Sequence, residues 1–326
     1  MIKELQGTTN LAIVDMFAKA DSVINNPKYR RVMCSISGGS DSDVMMDLLT
    51  RVDREKKVTY VFFDTGLEYE ATKRHLQYLE KRYGVEIMRE RAKKPIPTCS
   101  REYGQPFVSK QVSEFMQRLQ SHGFKWEDEP FSVLYERYPK CKAALKWWCN
   151  EWGARNDGGI SSFDIARNKW LKEFIVQNPP DFAIANKCCT WAKKKVAHAA
   201  LEHTGAQLNI MGVRRAEGGA RATAYKNCIT LKSTGIDDYR PLFWLTDADK
   251  AEYERLFGVV HSACYTDYGL PRTGCAGCPF GRSCLKEVDV IQEHEPRLHK
   301  AVNKIFGRSY EYTQRYREFA REMGGR

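Results

Sequence analysis

The chain of 326 residues and 37.6 kDa is 42% hydrophobic, 29% charged and 12% aromatic. Such a composition buries a core, which excludes fibrous and wholly disordered classes, and the length allows one large domain or two modest ones. The formal charge is +11, and residues 91–200 hold 19 basic and 11 acidic side chains, so most of the surplus lies in that third. A local excess of this size suits a polyanionic partner. The longest apolar run, residues 58–63, is strand-sized and far short of the roughly 20 residues a membrane helix needs. The first twenty residues show no secretory apolar stretch, so a cytoplasmic protein with no membrane partner is expected.

In chain order, residues 1–30 read as a helical lead-in. RVMCSIS (31–37) reads as a buried strand, and a glycine turn at Gly38 and Gly39 follows it. Val44, Met45, Leu48, Leu49 and Val52 then repeat at helical spacing. VTYVFF (58–63) is a second strand ending in Asp64, Thr65 and Gly66. A helix over 70–83 and a short strand over 86–89 come next. Strand–helix alternation predicts an α/β fold, a Rossmann-like doubly wound parallel sheet. Ligands of such sheets bind beyond the carboxyl ends of the strands, where residues 37–42 and 64–66 fall. Residues 90–185 break the rhythm with helical patterns at 108–122, 141–152 and 163–177, read as a helical insertion. LNIMGV (208–213) returns to the sheet, and a helical C-terminal part follows Cys284. The expected organisation is the lead-in, a nucleotide-binding domain over 31–288 interrupted by the insertion, and C-terminal helices over 289–326.

SISGGSDSDV (35–44) lies between a predicted strand and a predicted helix. Gly38 and Gly39 permit a tight turn that aims N–H groups at phosphate oxygens. Ser37, Ser40 and Ser42 add hydroxyls, and the helix N-terminus adds a positive partial charge. The G-x-x-x-x-G-K-[ST] pattern is absent, so this is not a Walker A loop.

S-x-S-G-G-x-D-S followed by a strand ending in D-T-G resembles the PP-loop ATP pyrophosphatases of the adenine nucleotide alpha hydrolase-like superfamily. Within that superfamily the likeness is to the phosphoadenosine phosphosulfate (PAPS) reductase family. GVRRAEGGARA (212–222) is similar to that family's Arg-bearing nucleotide loop, and YRPLFWLTDADKAEY (239–253) to its P-L-x-x-W-T-x-x-D segment. The resemblance implies that Ser35, Ser37, Gly38, Gly39, Ser40, Asp41 and Ser42 cradle a nucleotide's phosphates. It places Asp64 and Gly66 beside adenosine, and Arg214, Arg215 and Arg221 on phosphate or sulfate. Asp41 is the candidate magnesium carboxylate, and Asp41, Ser42 and Arg214 are the candidate catalytic residues.

Eleven cysteines are many for a reducing compartment, where paired thiols point to metal or redox chemistry. Cys188 with Cys189 and Cys275 with Cys278 could supply four thiolates to zinc or to a 4Fe-4S cluster, and spacing alone does not separate these. The C-C…C-x-x-C arrangement is similar to that of adenylylsulfate (APS) reductases, which implies iron–sulfur. A local run of Cys264, Cys275, Cys278 and Cys284 resembles the compact cluster of DNA-phosphorothioation ATPases and is a rival ligand set. Sulfonucleotide reductases attack sulfate with a cysteine on a C-terminal tail, yet residues 285–326 contain none. Cys264 and Cys284 are the remaining candidates for that nucleophile.

Residues 124–170 interleave cations with Trp126, Trp147, Trp148 and Trp170. Either these rings stack on unpaired bases of DNA or RNA while cations meet phosphates, or they are core and the lysines face water. Three functions follow. The first is an ATP-using enzyme that adenylates an acceptor, nucleic acid by the charge argument, for sulfur transfer from a donor such as a cysteine desulfurase. The second is an APS or PAPS reductase with a thiol reductant. The third is a nucleotide- and cluster-dependent regulator.

Overall fold

A computed structural model describes residues 5, 7–153, 157–218, 224–233, 235–281 and 283–324. In chain order the elements used below are α1 (Leu11–Ile24), β1 (Val32–Ile36), α2 (Ser40–Val52), β2 (Val58–Asp64), α3 (Glu70–Tyr83) and β3 (Ile87–Arg91). Then come α4 (Ile96–Tyr103), α5 (Lys110–Ser121), α6 (Lys142–Trp148), α7 (Leu171–Gln177), α8 (Lys195–Thr204) and β4 (Leu208–Met211). The chain ends with β5 (Ile229–Thr230), β6 (Asp237–Tyr239), α9 (Asp247–Phe257), α10 (Cys284–His294) and α11 (Pro296–Glu322). It divides into two compact units, one of Met1–Lys93 and Ala192–Cys275, the other of Lys94–Trp191 and Ala276–Arg326.

The first unit holds a six-stranded sheet in the order β3-β2-β1-β4-β6-β5. All its pairings are parallel except β5 with β6. β1 is central, with Ser35 opposite Val61 on one side and Met211 on the other. Its residues Val32, Met33, Cys34 and Ile36 are buried because both sheet faces are covered. Strand order reverses at β1, which places the end of that strand at the switch point where open α/β sheets take ligands. The core joins α1, α2 and α3 to the sheet through Phe17, Met45, Leu48, Leu76, Ile210 and Tyr253, among others.

The alternation read from the sequence is present, with strand bounds shifted by one or two residues. β5 and β6 were not expected. β6 is Asp-Asp-Tyr and is buried, against the ordinary strand preference. Its acids are satisfied by specific partners: Asp237 by Lys28 Nζ at 2.6 Å and Tyr29 Oη at 2.7 Å, Asp238 by Asn209 Nδ2 at 3.0 Å.

Among the described residues the regular structure of the second unit is helical, apart from one bridge between Gln105 and Ile184. The expected 163–177 helix is shorter: α7 starts at Leu171, because Trp170 sits in the left-handed region at φ 63° and interrupts it. Phe124, Trp126, Trp147 and Trp148 are buried together and pack edge-on or tilted. Trp148 Nε1 donates to the Glu127 carbonyl at 2.8 Å. Buried rings cannot stack on bases, so these four belong to the core, the second of the two readings open from the sequence. α11 lines the same core with Tyr312, whose ring lies 4.8 Å from Phe107 and 4.9 Å from Phe174. Among the described residues no helix is long and apolar enough to cross a membrane.

Trp148→Ala should therefore cost about 3–5 kcal/mol of stability. Urea denaturation followed by circular dichroism checks this, and a loss under 1 kcal/mol would deny the residue its place in the core.

Candidate nucleotide loop and cysteine sites

The loop that follows β1 is built by backbone geometry. Gly38 takes φ 67°, and a Cβ there would also meet Thr72 Cγ2 at 2.9 Å, so only glycine fits. Gly39 is the N-cap of α2. Ser42 is buried, donates to the Gly39 carbonyl at 2.8 Å and lies 3.4 Å from the Ser37 amide. It therefore braces the loop from within. Ser37 is exposed and its Oγ accepts the Gly39 N–H at 3.3 Å, while Ser35 lies half-buried in β1.

Tyr265 enters this loop from more than two hundred residues away. Its hydroxyl accepts the Ser40 N–H at 3.1 Å and the Thr273 N–H at 3.2 Å, and lies 3.2 Å from Thr273 Oγ1. Two backbone donors thus converge on one hydroxyl oxygen, an arrangement that equally suits an anionic oxygen.

Behind the loop runs a row of alternating charges. Asp41 Oδ1 accepts from Arg214 Nε at 2.9 Å and lies 3.7 Å from Lys250 Nζ. Arg214 NH1 donates to Asp247 at 2.8 Å, and Lys250 Nζ lies 2.5 Å from Glu254. His261 bridges Glu254 through Nε2 at 2.9 Å and the wholly buried Asp43 through Nδ1 at 2.8 Å. His75 Nε2 lies 3.0 Å from the other oxygen of Asp43, out of hydrogen-bond alignment. Burial pushes the Asp41 carboxyl up, against the pull of Arg214 and Lys250. For His261 burial opposes the charge, but the bonds to Asp43 and Glu254 outweigh it and push the imidazole up to about 9.

Arg214 thus spends two donors on carboxylates and positions Asp41. Arg215 is exposed, with its guanidinium 5.7 Å from the Trp244 ring centre. Arg221 lies outside the described residues. At the end of β2, Asp64 Oδ1 accepts the Gly66 N–H at 2.9 Å and Oδ2 lies 3.5 Å from Arg91, so Asp64 closes its own turn. Glu68 was not foreseen. It is buried and holds that turn through the Thr65 and Leu67 amides at 3.1 and 2.8 Å and the Thr65 hydroxyl at 2.5 Å. Lys250, His261, Tyr265 and Thr273 carry no signal in the sequence as site residues, although Lys250 lies within YRPLFWLTDADKAEY (239–253).

The structure seats Cys275 beside the D-T-G turn, its sulfur 3.8 Å from Thr65 Oγ1. Cys278 and Cys189 are half-buried and Cys188 is buried. Four thiolates are the donor chemistry of an iron–sulfur or zinc site. As placed, however, no three His, Cys, Asp or Glu side chains among the described residues form a group that could hold a metal ion. Magnesium fits here only in the manner common for triphosphate sites, with Asp41 as one carboxylate and phosphate oxygens and water completing the shell. Of the rival thiols, Cys264 is buried with its sulfur 3.7 Å from Thr72 Oγ1. Cys284 is buried 3.6 Å from Arg317, and burial pushes its thiol up. A nucleophilic cysteine needs the opposite shift.

The raised His261 value sets a pH dependence. A base held above its unfolded value near 6.5 stabilises fully below that pH and loses the contribution as pH rises through about 9. Thermal melts should show wild type losing its advantage over His261→Gln between pH 6.5 and 9. An NMR titration of the His261 ring should give a midpoint near 9, and a midpoint below 7 would refute the bridge.

With this geometry in hand, the chain can be set beside known proteins. An uncharacterized protein of Methanocaldococcus jannaschii is 40% identical over 296 residues, 87% of this chain and 42% of that protein. The chain thus spans less than half the length of that relative. Among solved structures, the PAPS reductase of Candida auris in a phosphate complex is 14% identical, with a TM-score of 0.42 over 84% of this chain and 93% of its own. The U34-tRNA thiolase NcsA of Methanococcus maripaludis, with its 4Fe-4S cluster, is 11% identical, with a TM-score of 0.39 over 94% and 78% respectively. Residues 31–122, which carry β1, the glycine loop, α2, β2, the D-T-G turn, α3 and β3, match the phosphoadenosine phosphosulfate reductase domain. Over that segment the chain is similar to the phosphoadenosine phosphosulfate reductase family.

Proposed function

We propose that the chain is an ATP pyrophosphatase-type enzyme that adenylates an acceptor, a nucleic acid, for sulfur transfer. The observation that carries this reading is the pair of N–H donors, from Ser40 and Thr273, that meet on one oxygen at the N-terminus of α2, whose first turn also carries Asp41, 3.7 Å from Lys250. ATP lies with its phosphates on residues 37–42, against the N-terminus of α2. An acceptor oxygen attacks the α-phosphorus, the bond to the bridging oxygen breaks, and pyrophosphate leaves with that electron pair. A sulfur nucleophile from a donor protein then displaces AMP from the activated acceptor. Magnesium, when bound, neutralises charge on the departing phosphates.

The chain's own residues act by position and charge. The N–H groups of Gly39 and Ser40 face phosphate oxygens, and Ser42 keeps the loop in shape. Arg214 fixes the Asp41 carboxylate, and Lys250 brings a cation to the same point. Catalysis of this type consists mainly of placement and charge stabilisation. The cysteine pairs are proposed to hold an iron–sulfur cluster, with Cys188, Cys189, Cys275 and Cys278 as ligands, and no step is routed through it.

The name of the matched domain favours a second reading, reduction of APS or PAPS to sulfite. That chemistry needs an accessible, activated thiol, and buried Cys284 with its raised thiol does not supply one.

The test is pyrophosphate release from ATP in the presence of magnesium and nucleic acid. Asp41→Asn should lower the rate at least about tenfold. Tyr265→Phe removes the oxygen that competes for the Ser40 and Thr273 amides, and ATP should bind about threefold more tightly. Wild-type protein that releases no pyrophosphate with any nucleic acid, yet yields sulfite from APS or PAPS, would replace the first reading with the second.

A further inference from the structure

With Trp126, Trp147 and Trp148 buried, the insertion offers fewer rings to nucleic acid than its sequence suggested, and the basic surface can be sought elsewhere in the second unit. α11 runs for 27 residues. Its apolar face is spent on that unit's core through Val302, Phe306, Tyr310 and Tyr312. Its outward face carries Arg297, Lys300, Lys304 and Arg308, all exposed, within an arc of about 80° at 3.6 residues per turn. Lys300, Lys304 and Arg308 are four residues apart, so their stems rise about 6 Å each along the axis. That is comparable to the step between successive phosphates on a strand.

Two observations set this stripe apart from an ordinary solvated face. Among the described residues Arg297, Lys300 and Lys304 make no ion pair or side-chain hydrogen bond, and only Arg308 is tied down, to Asp181 at 2.7 Å. The charges also stand at the wrong end of the helix for stability. Apart from the N-cap Glu295 the first turn of α11 holds no acid, and Arg297 stands in that turn at the positive end of the macrodipole, which disfavours cations. Acids return to the exposed face only beyond Arg308, at Glu311 and Glu318. A stripe kept basic against the helix dipole and against local neutralisation is matched by an external polyanion.

We infer that the Arg297–Lys300–Lys304–Arg308 face of α11 is a docking surface for the phosphodiester backbone of a nucleic acid. The inference deepens the nucleic-acid acceptor of the proposed function and rests on it. An anionic lipid surface is the other polyanion to weigh. A helix that lies on a membrane also inserts an apolar face, and the apolar face of α11 is already buried in protein. The contact is to phosphates and carries no base readout, so sequence preference is not expected from it.

The test uses the full chain and the double variant Lys300→Gln/Lys304→Gln. Both positions are exposed, and glutamine is close to lysine in helix propensity, so the exchange does not threaten folding. Binding of labelled 20-nucleotide single-stranded RNA, single-stranded DNA and duplex DNA is measured across salt concentrations. The variant should bind about tenfold more weakly at low salt. Its log–log salt slope for single strands should fall in magnitude by about 1.4, or 0.7 for each lost contact. The strand that wild type binds most tightly identifies which nucleic acid the surface serves. Unchanged affinity and slope, or no nucleic-acid binding by wild type, overturns the inference. Vesicles of one-third phosphatidylserine in phosphatidylcholine should show no binding, and binding that is lost in the variant reassigns the stripe to membranes. ATP affinity, measured in parallel, should be equal in both proteins, so failure of the glycine loop is read separately from failure of the stripe.

Discussion

The first turn of α2 is held by a row of alternating charges, and the glycine loop keeps its shape because that turn cannot move. Asp43 is wholly buried and bound to His261, which in turn holds Glu254. Glu254 holds Lys250, and Lys250 shares Asp41 with Arg214. Each buried acid would be costly alone, and each is compensated by a cation from a distant part of the first unit. The carboxylates of Asp41 and Asp43 are held within this row, while the N–H groups of Gly39 and Ser40 bond only hydroxyl oxygens, those of Ser37 and Tyr265. An anion-binding loop needs that separation, with charge fixed behind and amide donors in front.

The cysteines stand at a different level of assembly. Cys275 belongs to the first compact unit and touches the D-T-G turn through Thr65, while Cys188, Cys189 and Cys278 belong to the second. Thr273 lies two residues before Cys275 and donates its N–H to the Tyr265 hydroxyl above the glycine loop. The segment that contacts the proposed phosphate position therefore leads directly into the C-x-x-C pair. This continuity links the two signals that the sequence presented separately.

The strand, glycine turn and helix around residues 31–52 were legible because they are local: hydrophobic runs, two glycines and helical spacing occupy twenty neighbouring residues. The D-T-G turn was legible for the same reason. The partners of the loop were not. Tyr265 lies 225 residues from Ser40 and His261 lies 218 from Asp43, and single residues at such separation carry no periodicity. β6 escaped because Asp237 and Asp238 read as turn residues until Lys28, Tyr29 and Asn209 are seen to satisfy them. The tryptophans of the insertion were visible, but spacing cannot tell a ring that packs on Phe124 from one that stacks on a base. Burial decides that, and burial is a property of the folded chain.

The central claim is that the amides of residues 38–40 receive a nucleotide's phosphates. Amide hydrogen exchange resolved across residues 35–45 tests it most directly, in wild-type protein with and without saturating ATP and magnesium. The account predicts slower exchange confined to the loop and the first turn of α2, with β3 unchanged. Identical exchange in both states, at a nucleotide concentration shown separately to saturate the protein, would contradict it and place the nucleotide elsewhere.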